Sequence, residues 1–231
     1  MKALLYKEFK LAMHPICYVF IAMFPLMILI PSYPIAIGFI YVLTCYPILF
    51  LGANKGQQSN DLLYSTLLPI RKKDIVKARI MTVVIMHIAF IALTSALYPV
   101  AVLINKSIYE AALAEDPSAN PITNAGLGLH SYVLVLAFVL VGFALADLIF
   151  FPIYYKNGKS IVMSTLMMII GFVIYLGIFT IGLPYIPGLG FMNELPLYAQ
   201  FIALGAAILI YIALHFVVYK ASYKRLEKVD F

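Results

Sequence analysis

Asp147 is the one charged residue inside the long apolar runs of this 231-residue chain, and an acid in hydrocarbon marks either a working site or a satisfied polar pair. It lies about two turns from the end of its run, within reach of water or of Lys156 and Lys159, which favours a structural ion pair or polar contact over a proton relay. Four histidines could supply metal ligands: His14 and His130 near run ends, His87 and His215 inside runs. None has a His or Glu at i+4, the spacing that puts two ligands on one helical face, so no metal site is expected. Ser95 and Ser164 stand in no nucleophile–base constellation and suit helix packing. Cys17 and Cys45 lie in apolar runs without a neighbouring ligand, and read as small apolar side chains. No G-x-x-x-x-G-K-[ST] loop is present to cradle phosphates. Catalytic, cofactor-binding and metal-ligating residues are therefore all unassigned. What stands out is basic: Arg71, Lys72, Lys73, Lys77 and Arg79 crowd into nine residues just after Pro69.

The elements that carry these residues follow from composition. The chain is 64% hydrophobic and 11% charged, with a mean hydropathy of +1.00, whereas soluble domains carry about a quarter charged residues. A membrane protein is expected. Each crossing of a ~30 Å core needs about twenty apolar residues as a helix, because lipid cannot satisfy backbone polar groups. Six such runs occur, at about 16–30, 35–53, 80–104, 129–153, 161–183 and 197–219, the first two joined by the turn 31–34. No small-residue cleavage site follows the first run, so it is expected to be retained. Repeats and linkers are not evident, and residues 1–231 read as one all-α transmembrane domain.

Fifteen of the sixteen Lys and Arg side chains then fall on one side, and only Lys106 falls on the other. Basic residues near span ends stay cytoplasmic, so both termini and the 54–79 loop are expected inside. A net charge of +6 and a pI near 9.2 would point to nucleic acid in a soluble domain. Here topology accounts for the excess, and no nucleic-acid partner is expected.

Met1 to Met13 places Leu4, Leu5, Phe9, Leu11 and Ala12 on one helical arc and Lys2, Tyr6, Lys7 and Lys10 on the other, with Glu8 the exception. That pattern suits a helix lying in the interface, or a continuation of the first span. In the loop, Ser59 can cap a short helix that puts Leu62, Leu63, Thr66 and Leu67 on one face, and Pro69 ends it. Arg71 to Asp74 opens the third helix, with Asp74 in the first turn where the macrodipole favours an acid. On the outer side, Ala111 to Ala114 suits a short helix. The stretch 183–196 suits either a re-entrant segment or an interfacial loop.

"LLYSTLLPIRKKDIVKARI" resembles a segment of the ABC type-2 exporter permeases. The match lies in Leu68 and Pro69, the basic pair Lys72 and Lys73, Asp74, then Ile75, Val76, Ala78 and Arg79. "YKEFK" looks like that family's amphipathic elbow helix. "FPIYYKNGKS" and "SYKRLEKVDF" look like its fourth-to-fifth-span connection and terminal segment. One departure is Arg71, where the family commonly has Ser or Thr, which removes the capping box from that helix start.

The resemblance implies a coupling helix between the second and third spans that docks on a separate cytoplasmic ABC ATPase. Asp61, Leu62, Leu63, Thr66, Leu67, Leu68, Pro69, Lys72, Lys73 and Asp74 are its contact residues. ATP and Mg would be bound by that partner, and no cofactor by this chain. It also implies a second permease copy or a homologous one, a bacterial cytoplasmic membrane, and export rather than catalysis. The aromatic and Met content suits an amphipathic or lipid-like cargo, with the exporters of amphipathic peptides such as phenol-soluble modulins the nearest in kind. Two alternatives stay open. The basic loop could lie on anionic headgroups, and the chain could be a multispan protein of another class, such as an intramembrane protease or a lipid-modifying enzyme.

Overall fold

The computed structural model describes residues 2–12, 16–30, 65, 69–115, 131–157, 161–182 and 195–228, and every regular element among them is a helix. In chain order these are α1 (Lys2–Lys7, ending in a π turn Glu8–Ala12), α2 (Ile16–Met23, tightening to a 3-10 turn Phe24–Leu29), α3 (Lys72–Glu115), α4 (Tyr132–Asn157), α5 (Ile161–Leu176, with a π turn Gly177–Gly182) and α6 (Leu197–Glu227). The expected run 35–53, the turn before it and most of the 54–79 loop lie outside the described residues.

Four of these helices, α3 to α6, are long and apolar enough to cross a membrane. The run expected at 16–30 forms only a shorter apolar helix, Cys17–Leu29. Pro25 changes its form partway along. It has no N–H for the i−4 carbonyl, and its ring crowds the preceding turn, so the α-helix gives way to a 3-10 turn at Phe24. Pro25 and Ile28 of that turn are buried, and the turn packs along α3.

The third run also differs from expectation. α3 is a single helix of 44 residues, about 66 Å long at 1.5 Å per residue. The outer helix expected at Ala111 to Ala114 is its last turns rather than a separate element. No Gly or Pro interrupts residues 100–115, so nothing stops the helix where its apolar stretch ends. Likewise α6 continues to Glu227, well past the apolar run that closes near Tyr219.

α4 is the centre of the bundle. Its sequence is apolar on all faces, the pattern of a helix enclosed by others, and Val135, Val139, Phe143, Ala144, Phe150, Phe151 and Tyr155 are fully shielded. It packs most extensively against α6 and then α5. α3 buries one stripe at helical spacing, Val76, Arg79, Val83, Met86, His87, Phe90 and Thr94. The hydroxyls of Thr82 and Thr94 are absorbed by carbonyls one turn back, at 3.1 and 2.8 Å. Ser164 Oγ likewise donates to Ile161 O at 2.8 Å, and Ser95 lies 3.1 Å from the Tyr132 hydroxyl, the packing roles expected of these serines.

Close approach of α4 and α5 depends on Gly142. A Cβ there would stand 2.8 Å from Phe172 Cε2 and 3.0 Å from the Tyr175 ring, and rings held in a packed interface cannot give way cheaply. Gly142→Ala is therefore expected to destabilise the protein by about 1–3 kcal/mol. Gly205→Ala, with nothing within 4 Å of its Cβ, is expected to leave stability unchanged or slightly raised. Thermal unfolding of both variants in detergent checks the pair, and equal midpoints would contradict this packing.

Candidate functional site

Two buried polar groups join the helices, one at the basic end of the bundle and one midway along it. The basic end begins with the acid that breaks the amphipathic pattern of α1. Glu8 is only 3% exposed, and its carboxylate takes two bonds from the Arg79 guanidinium, Nε to Oε2 at 2.8 Å and Nη2 to Oε1 at 3.2 Å. This is the fork-to-fork geometry in which arginine binds a carboxylate most tightly. The remaining Arg79 nitrogen, Nη1, donates to the Tyr154 hydroxyl on α4 at 2.9 Å. Lys7 Nζ reaches Glu8 Oε1 at 3.5 Å and donates to Ser65 Oγ at 2.5 Å. One hydrogen-bonded group thus ties α1, Ser65 of the loop ahead of α3, α3 itself and α4.

Two further contacts bring in α6. Lys72 Nζ donates to Leu226 O at 3.4 Å, and Arg225 Nη1 donates to Pro152 O at 2.8 Å. Both put a cation on carbonyls in the last turns of a helix, where the macrodipole is negative. The start of α3 is therefore connected to the ends of α1, α4 and α6. A displacement of the 54–79 segment would reach four helices through side chains already bonded.

Of the residues expected to dock a partner, Asp61, Leu62, Leu63, Thr66, Leu67 and Leu68 lie outside the described residues. Pro69 is exposed, and Lys72, Lys73 and Asp74 are half-buried. Arg71 is exposed and bonds Asp74, Nε to Oδ2 at 3.0 Å, while Asp74 N and Ile75 N donate to Arg71 O. The first turn of α3 is thus closed by an i,i+3 ion pair in place of a Ser or Thr cap. The five clustered basic residues divide in their roles. Arg79 points into the junction, Lys72 toward α6 and Arg71 onto Asp74, so Lys73 and Lys77 carry the open charge.

The second group corrects the expected partner of Asp147. Lys156 is exposed and Lys159 lies outside the described residues. The carboxylate, fully buried, instead faces His215 of α6, with Oδ2 2.8 Å from Nε2, and His87 of α3, with Oδ2 3.9 Å from Nδ1. His215 Nδ1 is 2.8 Å from Tyr211 O. A carbonyl can only accept, so Nδ1 carries a hydrogen, and the short Nε2 to Oδ2 contact holds one shared proton. His87 Nδ1 lies 3.2 Å from the Tyr211 hydroxyl, and its ring stacks on Phe143 at 4.2 Å. These ligand-bearing groups sit on three helices.

The i+4 test missed this cluster because it inspects one helix at a time. Depth along the helices would have found it. Counted from the basic end, His87 lies 15 residues into α3, Asp147 lies 10 residues into α4 and His215 lies 12 residues into α6, or about 15–22 Å deep in each case. The second group that sequence reasoning missed, Glu8 with Arg79 and Tyr154, had its own signal. An acid on an apolar arc must find a cation when that arc is buried.

A family model described as ABC-2 family transporter protein matches residues 3–224. No curated protein and no solved structure matches the chain.

Proposed function

The chain belongs to the ABC-2 transporter family, and on that premise we propose that it is the transmembrane subunit of an ATP-driven exporter, powered by a separate cytoplasmic ATPase docked on the 54–79 loop. The family match carries this reading, since it spans nearly the whole chain. The buried junction supports it physically. The loop's end is bonded to α1, α3 and α4 through Lys7, Ser65, Glu8, Arg79 and Tyr154, which gives a force applied at the loop a route into the membrane helices. The apolar runs and the basic residues gathered at one end support six spans with both termini and the loop in the cytoplasm, and the resemblance to exporter permeases supports a bacterial cytoplasmic membrane.

The pathway lies between two permease copies, this chain paired with itself or a homologue, because six spans are few for an enclosed conduit. The cargo is an amphipathic peptide or a lipid-like molecule. Its support is the aromatic and Met-rich character of the spans, 17 Tyr, 16 Phe and 10 Met. ATP and Mg bind the partner. An intramembrane protease or a lipid-modifying enzyme finds no support in the family match.

Topology is the first test. A cysteine placed at position 58 is expected to resist a membrane-impermeant maleimide in intact cells and to react once the membrane is opened. Labelling from outside would overturn the orientation. Native mass spectrometry of the purified complex is expected to show two permeases with two ATPases, and one permease with two ATPases would overturn the paired pathway.

A further inference from the structure

We propose that His87, Asp147 and His215 form a binding site for a borderline divalent transition metal, of which Zn²⁺ is the type, inside the helix bundle. The proposal stands apart from the transporter reading. Each of the three residues offers one ligand atom, and these atoms lie within 4.8 Å of one another. They come from α3, α4 and α6, so the site exists only in the folded bundle.

The separations are near what a metal requires. At bond lengths of about 2.0–2.1 Å, tetrahedral donors stand about 3.4 Å apart. The Asp147 Oδ2 atom is 2.8 Å from His215 Nε2 and 3.9 Å from His87 Nδ1, so these two separations need to change by about half an ångström to reach that geometry, and the two imidazoles, within 4.8 Å of each other, close in by up to about 1.4 Å. Outer support is in place. The His215 Nδ1–H group bonds Tyr211 O, which fixes the tautomer that presents the Nε2 lone pair, the usual device for orienting a ligating histidine. His87 is held by its stack on Phe143 and presents Nδ1. The Tyr211 hydroxyl lies 3.2 Å from that nitrogen, and its hydrogen would turn away for the ion to take the lone pair.

The donor set selects the ion. Two imidazoles and one carboxylate suit Zn²⁺ and its neighbours, whereas Ca²⁺ and Mg²⁺ prefer oxygen alone. Binding would replace the proton now shared by His215 and Asp147, which leaves as the ion arrives. A path exists for that exchange. A cavity of about 360 Å³ between α3 and α6, lined by Lys77, Met81, Ile212, His215 and Tyr219, opens onto the His215 side of the site. Once bound, the ion would add a cross-link between α3, α4 and α6.

The full chain, purified in detergent without a polyhistidine tag and stripped with a chelator, is the material for the test. Equilibrium dialysis against micromolar free Zn²⁺ is expected to load one ion per chain. Co²⁺ is expected to give the intense visible bands of a tetrahedral site, without the thiolate charge-transfer band that Cys17 or Cys45 would add. His87→Gln and His215→Gln, which keep size and polarity, are each expected to weaken Zn²⁺ binding more than about 100-fold, beyond the loss of an outer partner, while His130→Gln leaves it unchanged. Wild-type protein that takes up less than a tenth of an equivalent, or a weak octahedral Co²⁺ spectrum, would overturn the proposal even if the variants fail to fold. Unchanged binding by a folded His87→Gln, His215→Gln double variant would do the same.

Discussion

Arg79→Ala is expected to lower the stability of the bundle by about 3–5 kcal/mol, because it leaves the Glu8 carboxylate buried without its counter-ion. Both partners are almost wholly shielded, Arg79 at 2% and Glu8 at 3%, so water can replace neither. Glu8→Ala should cost a comparable amount for the reciprocal reason, since it leaves the Arg79 guanidinium buried without its counter-ion. Replacing both charges with apolar side chains of similar volume, Glu8→Leu with Arg79→Met, should recover much of the loss, since an intact buried pair repays little more than its own desolvation. A double-mutant cycle on thermal or denaturant unfolding in detergent measures this directly. The coupling energy between positions 8 and 79 should reach about 2 kcal/mol or more. A coupling near zero would mean that α1 is not held to α3 by this pair.

How much of this could be read beforehand depends on the range of the interaction. Helices α3 to α6 were legible because each carries an apolar stretch long enough to cross a bilayer, a property of consecutive residues. Their ends were not, since apolarity marks where hydrocarbon stops and not where the helix stops. Residues 105–115 are polar yet remain helical, as nothing in them breaks the backbone ladder. Pro25 was visible as a breaker, but its effect, a 3-10 turn seated against α3, depends on the neighbour. The polar groups were the least legible. Glu8 pairs across 71 residues and Asp147 across 68, and such partners are chosen by packing. Even so, Glu8 was already the misfit on its arc, and Asp147 the one charge in a span. Each misfit proved to be one half of a pair.

The 54–79 loop gives the second large effect. Burying Leu63 and Leu67 in a groove of the ATPase should contribute about 1.5–3 kcal/mol each at full burial, and an Asp in either place adds the cost of an unpaired charge against an apolar wall. Leu63→Asp with Leu67→Asp should therefore release the ATPase. Neither residue lies in an apolar run, so insertion should be intact. Open basic residues contribute less, because exposed ion pairs are worth about 0–1 kcal/mol and weaken with salt. The clean comparison is Lys73→Ala with Lys77→Ala, since Arg71, Lys72 and Arg79 are engaged with Asp74, with α6 and with the junction. That variant should keep its partner at low salt and lose some of it as salt rises.

The measurement that bears most directly on an ATP-powered permease is copurification of the ATPase together with transport-linked ATP hydrolysis, for wild type and these two double variants reconstituted in vesicles. Wild type should hold the ATPase and hydrolyse ATP in step with transport, the Lys73→Ala, Lys77→Ala protein should retain most of both, and the Leu63→Asp, Leu67→Asp protein should insert normally and lose both. A Leu63→Asp, Leu67→Asp protein that keeps its ATPase and its coupled hydrolysis would contradict docking at this loop, and would leave the basic segment lying on the lipid headgroups instead.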